Sequence, residues 1–304
     1  MNSYDFNGML LEFTKMNGAG NDFILVDNRD GAIQLEPAQI ARLCDRHAGV
    51  GADGIALLIP CASGKADWAW DFYNSDGSRA EMCGNGARCF ARFAQRLTGA
   101  SSGLTFETVA GVISATFLGE RVSVNLTTPT DLRINELVML NSGEMAIHSV
   151  NTGVPHDVLF VPDADAAKVQ PLGSEIRFHA HFAPRGTNVN FVQLIGNGAI
   201  RVRTYERGVE GETLACGTGV TASALIAAEL HQFKSPVQVR VQGGDTLEVS
   251  FEKADSQFKN VHLTGPADFT FTGVTELMSK AKKEWGCNSF PKPQPVEFLA
   301  YGGP

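Results

Sequence analysis

The chain repeats itself, and the repeat limits its fold more than any other feature. Cys83-Gly84-Asn85-Gly86 and Cys216-Gly217-Thr218-Gly219 are two Cys-Gly-x-Gly tetrads 133 residues apart (216 − 83), each opening a small-residue run at helical spacing. Upstream, Gly20 in MNGAGNDFILV and Gly153 in VNTGVPHDVLFV each close a turn that leads into an apolar strand, and they too lie 133 residues apart (153 − 20). Landmarks held in one register mark a duplicated unit. Two pseudo-symmetric domains are expected, the first near 1–128 and the second near 129–267.

Around these landmarks most of the periodicity is two. Val122-Val124-Leu126, Val237-Val239-Val241 and Leu247-Val249-Phe251 alternate with polar residues, as half-buried strands do. Helical spacing is confined to 37–47, 85–97, 218–232 and 274–285, the first with a proline in its opening turn. The expected fold class is therefore α+β, strand-rich with a few isolated helices. At 304 residues and 43% hydrophobic, such a chain can bury a core without staples, and six cysteines in no dense framework fit reduced thiols. A net charge of −8, from 25 basic and 33 acidic residues, opposes nucleic acid and anionic membrane surfaces and favours small-molecule partners. No cationic, apolar leader opens the chain and no run of 18 apolar residues occurs, so neither a signal peptide nor a membrane anchor is expected. Residues 287–304, rich in proline and without periodicity, read as a flexible tail.

A cysteine at a helix start, followed by Gly-x-Gly, is a device for holding negative charge. Exposed backbone N–H groups and the helix dipole stabilise a thiolate, which should lower a thiol pKa from about 8.5 toward neutrality. The glycines let a ligand approach the backbone, and a carboxylate docked there gains from those N–H groups as proton loss builds charge on its oxygens. Two such starts facing across a cleft would set two sulfurs against opposite faces of one carbon. One thiolate that takes a proton and one thiol that delivers another would invert a carbon α to a carboxylate, the shared proton titrating as a property of the pair. Two plainer alternatives stay open here: Cys83 and Cys216 as small buried residues, or as a disulfide.

Six stretches carry a resemblance to a known family. KMNGAGNDFILVD, DRHAGVGADG, FYNSDGSRAEMCGNGARCFARF, VNTGVPHDVLFV, RGTNVNFV and RTYERGVEGETLACGTG, spanning residues 15–219, are similar in order to the signature blocks of diaminopimelate epimerases. The resemblance implies a PLP-independent isomerase, without cofactor or metal, that interconverts LL- and meso-2,6-diaminopimelate for lysine and peptidoglycan precursor synthesis. It also implies a cytoplasmic homodimer. The implied fold is two domains, each a mostly antiparallel barrel-like sheet around a central helix, with residues 268–286 returning to the first. Matched position by position, Cys83 and Cys216 become the catalytic acid/base pair, and Gly84, Asn85, Gly217 and Thr218 bind the reacting carboxylate. Asn21, Asn74, Asn188, Glu206 and Arg207 fall on substrate-contacting positions. Arg207 can grip a carboxylate as a fork, Glu206 can answer an ammonium, and the asparagines offer both donors and acceptors. Two positions depart from one common form of the pattern: Gly54 stands where some members have glutamine, and Val154 where some have asparagine. Each departure takes away a side-chain contact to substrate and leaves the reaction type intact. His156, in the same turn as Val154, is expected either to orient an active-site group or to be a hydrogen-bonded structural histidine.

Other signals are set aside. Gly49-Val50-Gly51-Ala52-Asp53-Gly54 matches GxGxxG, but a helical pattern precedes it and an apolar strand follows, the reverse of a dinucleotide site. His179 and His181 would share one face of a strand with no further ligand spacing, and no lysine has a Schiff-base setting. Cys44 and Cys89 read as core residues of helices, Trp68 and Trp70 as strand packing. Two rival readings stand beside the first. A hydroxyproline epimerase or proline racemase-like enzyme would usually carry histidine where this chain has Asn85, and would lack the Tyr205–Gly208 block. A non-catalytic binding protein for diamino-dicarboxylates would use the cysteines only as pocket lining.

Overall fold

The structure is a computed structural model that describes residues 9–80, 82–196, 198–254 and 257–277. Its first half runs β1 (Met9–Asn17), β2 (Asp22–Asp27), α1 (Pro37–Cys44), β3 (Gly54–Ile59), β4 (Trp68–Asn74), α2 (Gly84–Thr98), β5 (Gly103–Thr108), β6 (Gly111–Leu118) and β7 (Arg121–Asn125). The second half runs β8 (Thr130–Leu140), β9 (Gly143–Asn151), β10 (Pro155–Phe160), α3 (Val169–Arg177), β11 (Asn188–Gly196), β12 (Ala199–Glu206), β13 (Gly211–Thr213), α4 (Gly217–His231), β14 (Val237–Arg240), β15 (Thr246–Ala254) and β16 (Gln257–Pro266). A last strand, β17 (Asp268–Leu277), closes the described chain.

Pairing joins the strands into one continuous ribbon. In the first half, β17, β1 and β2 are antiparallel, β2 and β3 parallel, β3 and β4 antiparallel, β4 and β5 parallel, and β5, β6 and β7 antiparallel. The second half repeats those senses in the same order through β8, β9, β10, β11, β12, β14, β15 and β16. Antiparallel pairing of β7 with β16, from Asn125↔His262 to Arg121↔Pro266, seams the halves together. The 133-residue repeat thus reappears as a repeated order of strand senses.

Each half wraps its sheet around one helix. α2 packs against β2, β3, β5, β6 and β7, and α4 against β9, β10, β11, β12, β14 and β15. Alternate residues of the strands supply the walls: Leu104 and Phe106 from β5, Val122 and Val124 from β7, Val237 and Val239 from β14, and Leu247 and Val249 from β15 are all buried. From Gly217 to Ala228, α4 is built from glycine, alanine, valine, leucine, isoleucine and small hydroxyl residues, and all of these but Thr218 are buried. Its two internal hydroxyls are satisfied within the helix, Thr221 donating to the Gly217 carbonyl at 2.9 Å and Ser223 to the Gly219 carbonyl at 2.7 Å. α2 brings Phe90 against Trp70 and Phe106, with ring centroids 5.6 and 4.7 Å away. It ends at Gly99, whose φ of 73° is the left-handed cap that glycine adopts without strain.

Three expectations are corrected. The helical spacing at 274–285 is overruled where it can be followed: Val274–Leu277 is the end of β17, paired with Met9–Glu12 of β1. Hydrogen bonds to a neighbouring strand outweigh a weak local helical preference. Residues 278–285, and the expected tail at 287–304, lie outside the described residues. α3 was not expected, because VQPLGSEIR holds proline and glycine. Pro171 falls in the first turn, where its missing N–H costs nothing, and Gly173 is pressed on Tyr205: an added Cβ would lie 2.5 Å from the Tyr205 Cβ. His179 and His181 do not share a strand face: His179 is the N-cap of a short 3-10 turn at Ala180–Phe182 and His181 lies within it. His179 faces the Met139 carbonyl and His181 the Glu136 carboxylate. No helix among the described residues is long and apolar enough to cross a membrane.

Candidate active site

Cys83 caps the start of α2 and Cys216 the start of α4, and the two helices meet start to start. A Cβ added at Gly217 would lie 3.4 Å from the Gly84 Cα, and one added at Gly84 would lie 3.7 Å from the Gly217 Cα. Both would also lie 3.0 Å from Leu263 Cδ2, so the joint is close enough that a side chain at either position would press on that leucine. Asn85 crosses the joint: its Nδ2 donates to the Ala215 carbonyl at 3.0 Å, while its Oδ1 accepts from Arg88 at 3.1 Å. Both cysteines are free thiols. Glu206 acts electrostatically on each sulfur, and Cys83 acts on Cys216, so the two share one environment.

Their acidity differs from the expectation. Burial pushes the Cys83 thiol up to about 11 and the Cys216 thiol further still, and the Glu206 charge adds to both shifts. Backbone N–H groups do oppose this, as the helix starts promised: Gly86 donates to the Cys83 sulfur at 3.4 Å. Desolvation is the larger effect, because Cys216 is buried and Cys83 is partly buried rather than set on an open helix end.

The two sulfurs have unlike neighbours. The Cys83 sulfur faces Asn21 Oδ1 at 3.7 Å, an acceptor. Asn21 is turned that way because its Nδ2 donates to the Asp53 carboxylate. Arg46 holds Asp53 and Asp22 at 2.8 Å each, and Lys15 pairs with Asp22 at 2.9 Å. The Cys216 sulfur instead faces the Thr218 hydroxyl at 3.5 Å, which lies 2.8 Å from His156 Nε2. Asn190 settles the histidine's tautomer. Its Nδ2 donates to the Asp157 carbonyl at 3.0 Å and faces His156 Nδ1 at 3.2 Å, while its Oδ1 accepts from Thr204 at 2.9 Å. An amide NH₂ can only donate, so Nδ1 accepts and Nε2 carries the proton toward Thr218. Burial, reinforced by the Arg207 charge, pushes His156 down to about 3, so the ring is neutral.

The remaining candidates lie around this centre. Asn188 Nδ2 donates to the Pro155 carbonyl at 2.9 Å, and its Oδ1 accepts from the Arg207 backbone N–H at 2.8 Å. Glu206 accepts from the Thr213 hydroxyl at 2.9 Å, and burial raises its carboxyl above the usual range. Arg207 makes no ion pair among the described residues; its guanidinium reaches only the Arg185 carbonyl, at 3.4 Å. Asn74 is exposed at the end of β4 and donates to the Ser78 hydroxyl at 3.0 Å. It is the register partner of Gly54, where an added Cβ would lie 2.7 Å from the Tyr73 carbonyl oxygen, so this backbone leaves no room for glutamine there. Val154 lies in the turn before β10, and its carbonyl accepts from the Thr152 N–H at 3.2 Å. Arg88, Asn190 and Asp53 were not singled out from sequence. Arg88 reads as one more helix surface residue, and only the tertiary contacts reveal it as buried.

The class is set by this arrangement: a duplicated sheet-and-helix unit of the kind that carries epimerases. In fold it is similar to a Bacillus anthracis phenazine biosynthesis protein of the PhzF family, with a TM-score of 0.69 at 14% identity over 88% of this chain and 99% of that one. A hydroxyproline epimerase from Agrobacterium vitis, with bound trans-4-hydroxy-L-proline, gives 0.67 at 15% identity over 89% and 94%. The diaminopimelate epimerase family model matches residues 13–131 and 148–270. Diaminopimelate epimerases of Hydrogenobaculum sp. (strain Y04AAS1) and Aquifex aeolicus (strain VF5) are each 43% identical to this chain, covering 86% of it and 97% of their own length. That of Chlorobaculum tepidum is 39% identical over 86% of this chain and all of its own. The chain belongs to the diaminopimelate epimerase family and is an isomerase.

Proposed function

We propose that this isomerase interconverts LL- and meso-2,6-diaminopimelate by a two-thiol acid/base mechanism, without cofactor or metal, supplying precursors of lysine and peptidoglycan. The observation that carries the reading is the start-to-start contact of two cysteine-capped helices at Gly84 and Gly217. A carboxylate seated at that joint would meet N–H groups of Gly84, Asn85, Gly217 and Thr218, with one sulfur toward each face of its α-carbon.

In this mechanism one sulfur, as thiolate, takes the α-proton. The electron pair of the broken C–H bond moves onto the carboxylate, whose growing charge the helix N–H groups stabilise. The opposite thiol then gives its proton to the other face of the carbon, forming the inverted C–H bond and leaving a thiolate there. The pair ends with its roles exchanged. Neutral His156, donating from Nε2, occupies a lone pair of Thr218 and leaves the threonine hydroxyl proton free for the Cys216 sulfur. Glu206 and Arg207 would answer the ammonium and carboxylate groups of the substrate, with Asn21, Asn74 and Asn188 completing the ring of contacts. The pairing of β17 with β1 supports a first domain made of 1–128 with 268–286, against a second at 129–267. A cytoplasmic homodimer is the form that the family resemblance implies.

Proton exchange tests the reading. In deuterated water the enzyme should place deuterium on the α-carbon of LL-diaminopimelate while the meso isomer accumulates, and hydroxyproline should remain unlabelled. Binding without wash-in would favour the binding-protein rival; label in hydroxyproline alone would favour the proline-type one.

A further inference from the structure

One buried charge has no place in that mechanism. Arg88 is 0% exposed, on α2 one turn beyond the Gly84–Gly217 contact. Its guanidinium donates to the Pro266 carbonyl at 3.2 Å, the Gly84 carbonyl at 3.3 Å, the Gly18 carbonyl at 3.4 Å and Asn85 Oδ1 at 3.1 Å. All four acceptors are neutral. Among the described residues no carboxylate forms an ion pair with it. A guanidinium keeps its proton even out of water, so a full positive charge sits in the core without a partner, an arrangement that is costly unless an anion is formed nearby.

The ionisable groups that act on Arg88 are, in order, Cys89, Cys83, Asp245 and Arg121. Cys89 is buried against Gly18, where an added Cβ would touch its sulfur at 3.0 Å, and burial pushes its thiol up to about 12. It stays a thiol. Cys83, at the N-cap of α2, is partly exposed, and the two-thiol reading requires a thiolate there. Burial and the Glu206 carboxylate from β12 disfavour its ionisation, the N–H groups of Gly86 and Asn85 and the charge of Arg88 favour it, and Cys83 in turn raises Cys216. The geometry points to Arg88 as the fixed counter-charge of the Cys83 thiolate, a positioning residue that lets negative charge exist at a helix start too deeply buried for the helix dipole alone. The inference rests on the two-thiol reading. It deepens that reading by naming what opposes the burial of the sulfurs.

Alkylation of the free enzyme tests it without substrate. Iodoacetamide, which is neutral, reacts with the thiolate, and peptide mass spectrometry separates Cys83 from Cys216 across the range from about pH 6 to about pH 10. Arg88→Gln should slow Cys83 alkylation about tenfold at a given pH, moving its profile up by about one pH unit, while Cys216 changes less than threefold. Arg88→Lys, which keeps a cation on a similar stem, should hold Cys83 within about threefold of the native rate. Equal slowing of both cysteines in Arg88→Gln would assign Arg88 to scaffolding of the helix start and overturn the proposal, as would an unshifted Cys83 profile. If Arg88→Gln does not fold, Arg88→Lys decides alone, a tenfold loss at Cys83 overturning the proposal. Failure of the diaminopimelate reading would appear separately, as absent deuterium wash-in with the alkylation difference still present.

Discussion

Cys83 and Cys216 sit in equivalent places yet are handed different hydrogen-bonding neighbours, an amide oxygen for one and a hydroxyl for the other. Removing either sulfur should end inversion: Cys83→Ala and Cys216→Ala are each expected to lose about a thousandfold or more in turnover of LL-diaminopimelate, with circular dichroism unchanged. Burial raises both thiols, so the active thiolate is scarce at low pH. The rate should therefore climb from neutral into alkaline pH, which a pH profile of kcat/KM checks; a rate independent of pH would contradict a thiol base. Asp157 offers a stability test away from the chemistry. Burial pushes its carboxyl up to about 6, and the single Ser149 hydroxyl lies between Asp157 at 2.5 Å and Glu136 at 2.9 Å. A carboxyl whose folded pKa is raised binds more protons folded than unfolded, so its contribution to stability is present below about pH 4 and lost as pH rises through about 6. Asp157→Asn should accordingly raise Tm at pH 7.5, by the equivalent of about 2–3 kcal/mol, and leave it unchanged near pH 4. At this scale the sequence revealed chemistry by type and spacing, which is why the cysteines and the Glu206-Arg207 pair stood out. It could not reveal how deeply a sulfur lies, and so the expected lowering of the thiol pKa was reversed.

Among the elements, α2 and α4 were the most legible because a Cys-Gly-x-Gly start followed by small residues is a local signal. The strands β7, β14 and β15 followed from alternation for the same reason. α3 and β17 were hidden because long-range contacts decide them: Gly173 against Tyr205 in one case, the edge of β1 in the other. The start of α4 depends on a close fit that only the fold displays. An added Cβ at Gly219 would run into Asn190 Oδ1 and lie 3.3 Å from His156 Cε1. Gly219→Ala should therefore displace the imidazole from Thr218, at a cost of about 1–3 kcal/mol in unfolding free energy, and lower turnover more than tenfold. Denaturant unfolding and steady-state kinetics check both. The same substitution at Gly99, which has open space and a left-handed φ, should cost about 1 kcal/mol and leave turnover intact.

Taken whole, the chain is two copies of one ribbon seamed at β7 and β16, with β17 lying along β1 of the opposite copy. The period of 133 residues announced the duplication before any coordinates, since it needs only two landmarks per copy. The route of the chain between the copies was carried by family resemblance and not by periodicity. Deleting residues 268–277 should bare the β1 edge and the Phe13 ring that packs on Phe271 at 5.9 Å. Hydrogen exchange should then show β1 amides losing protection first, with β9 and β10 little changed; uniform loss across both halves would mean the copies fold as one unit.

A side chain at Gly84 or at Gly217 would press on Leu263, whose Cδ2 lies 3.0 Å from an added Cβ at either position, while meeting the other glycine only at contact distance. The two copies thus lean on one shared leucine at this point, and a larger residue in either must be accommodated by it. Any descendant of this chain that enlarges one of the two residues must, in the same lineage, open space at Leu263.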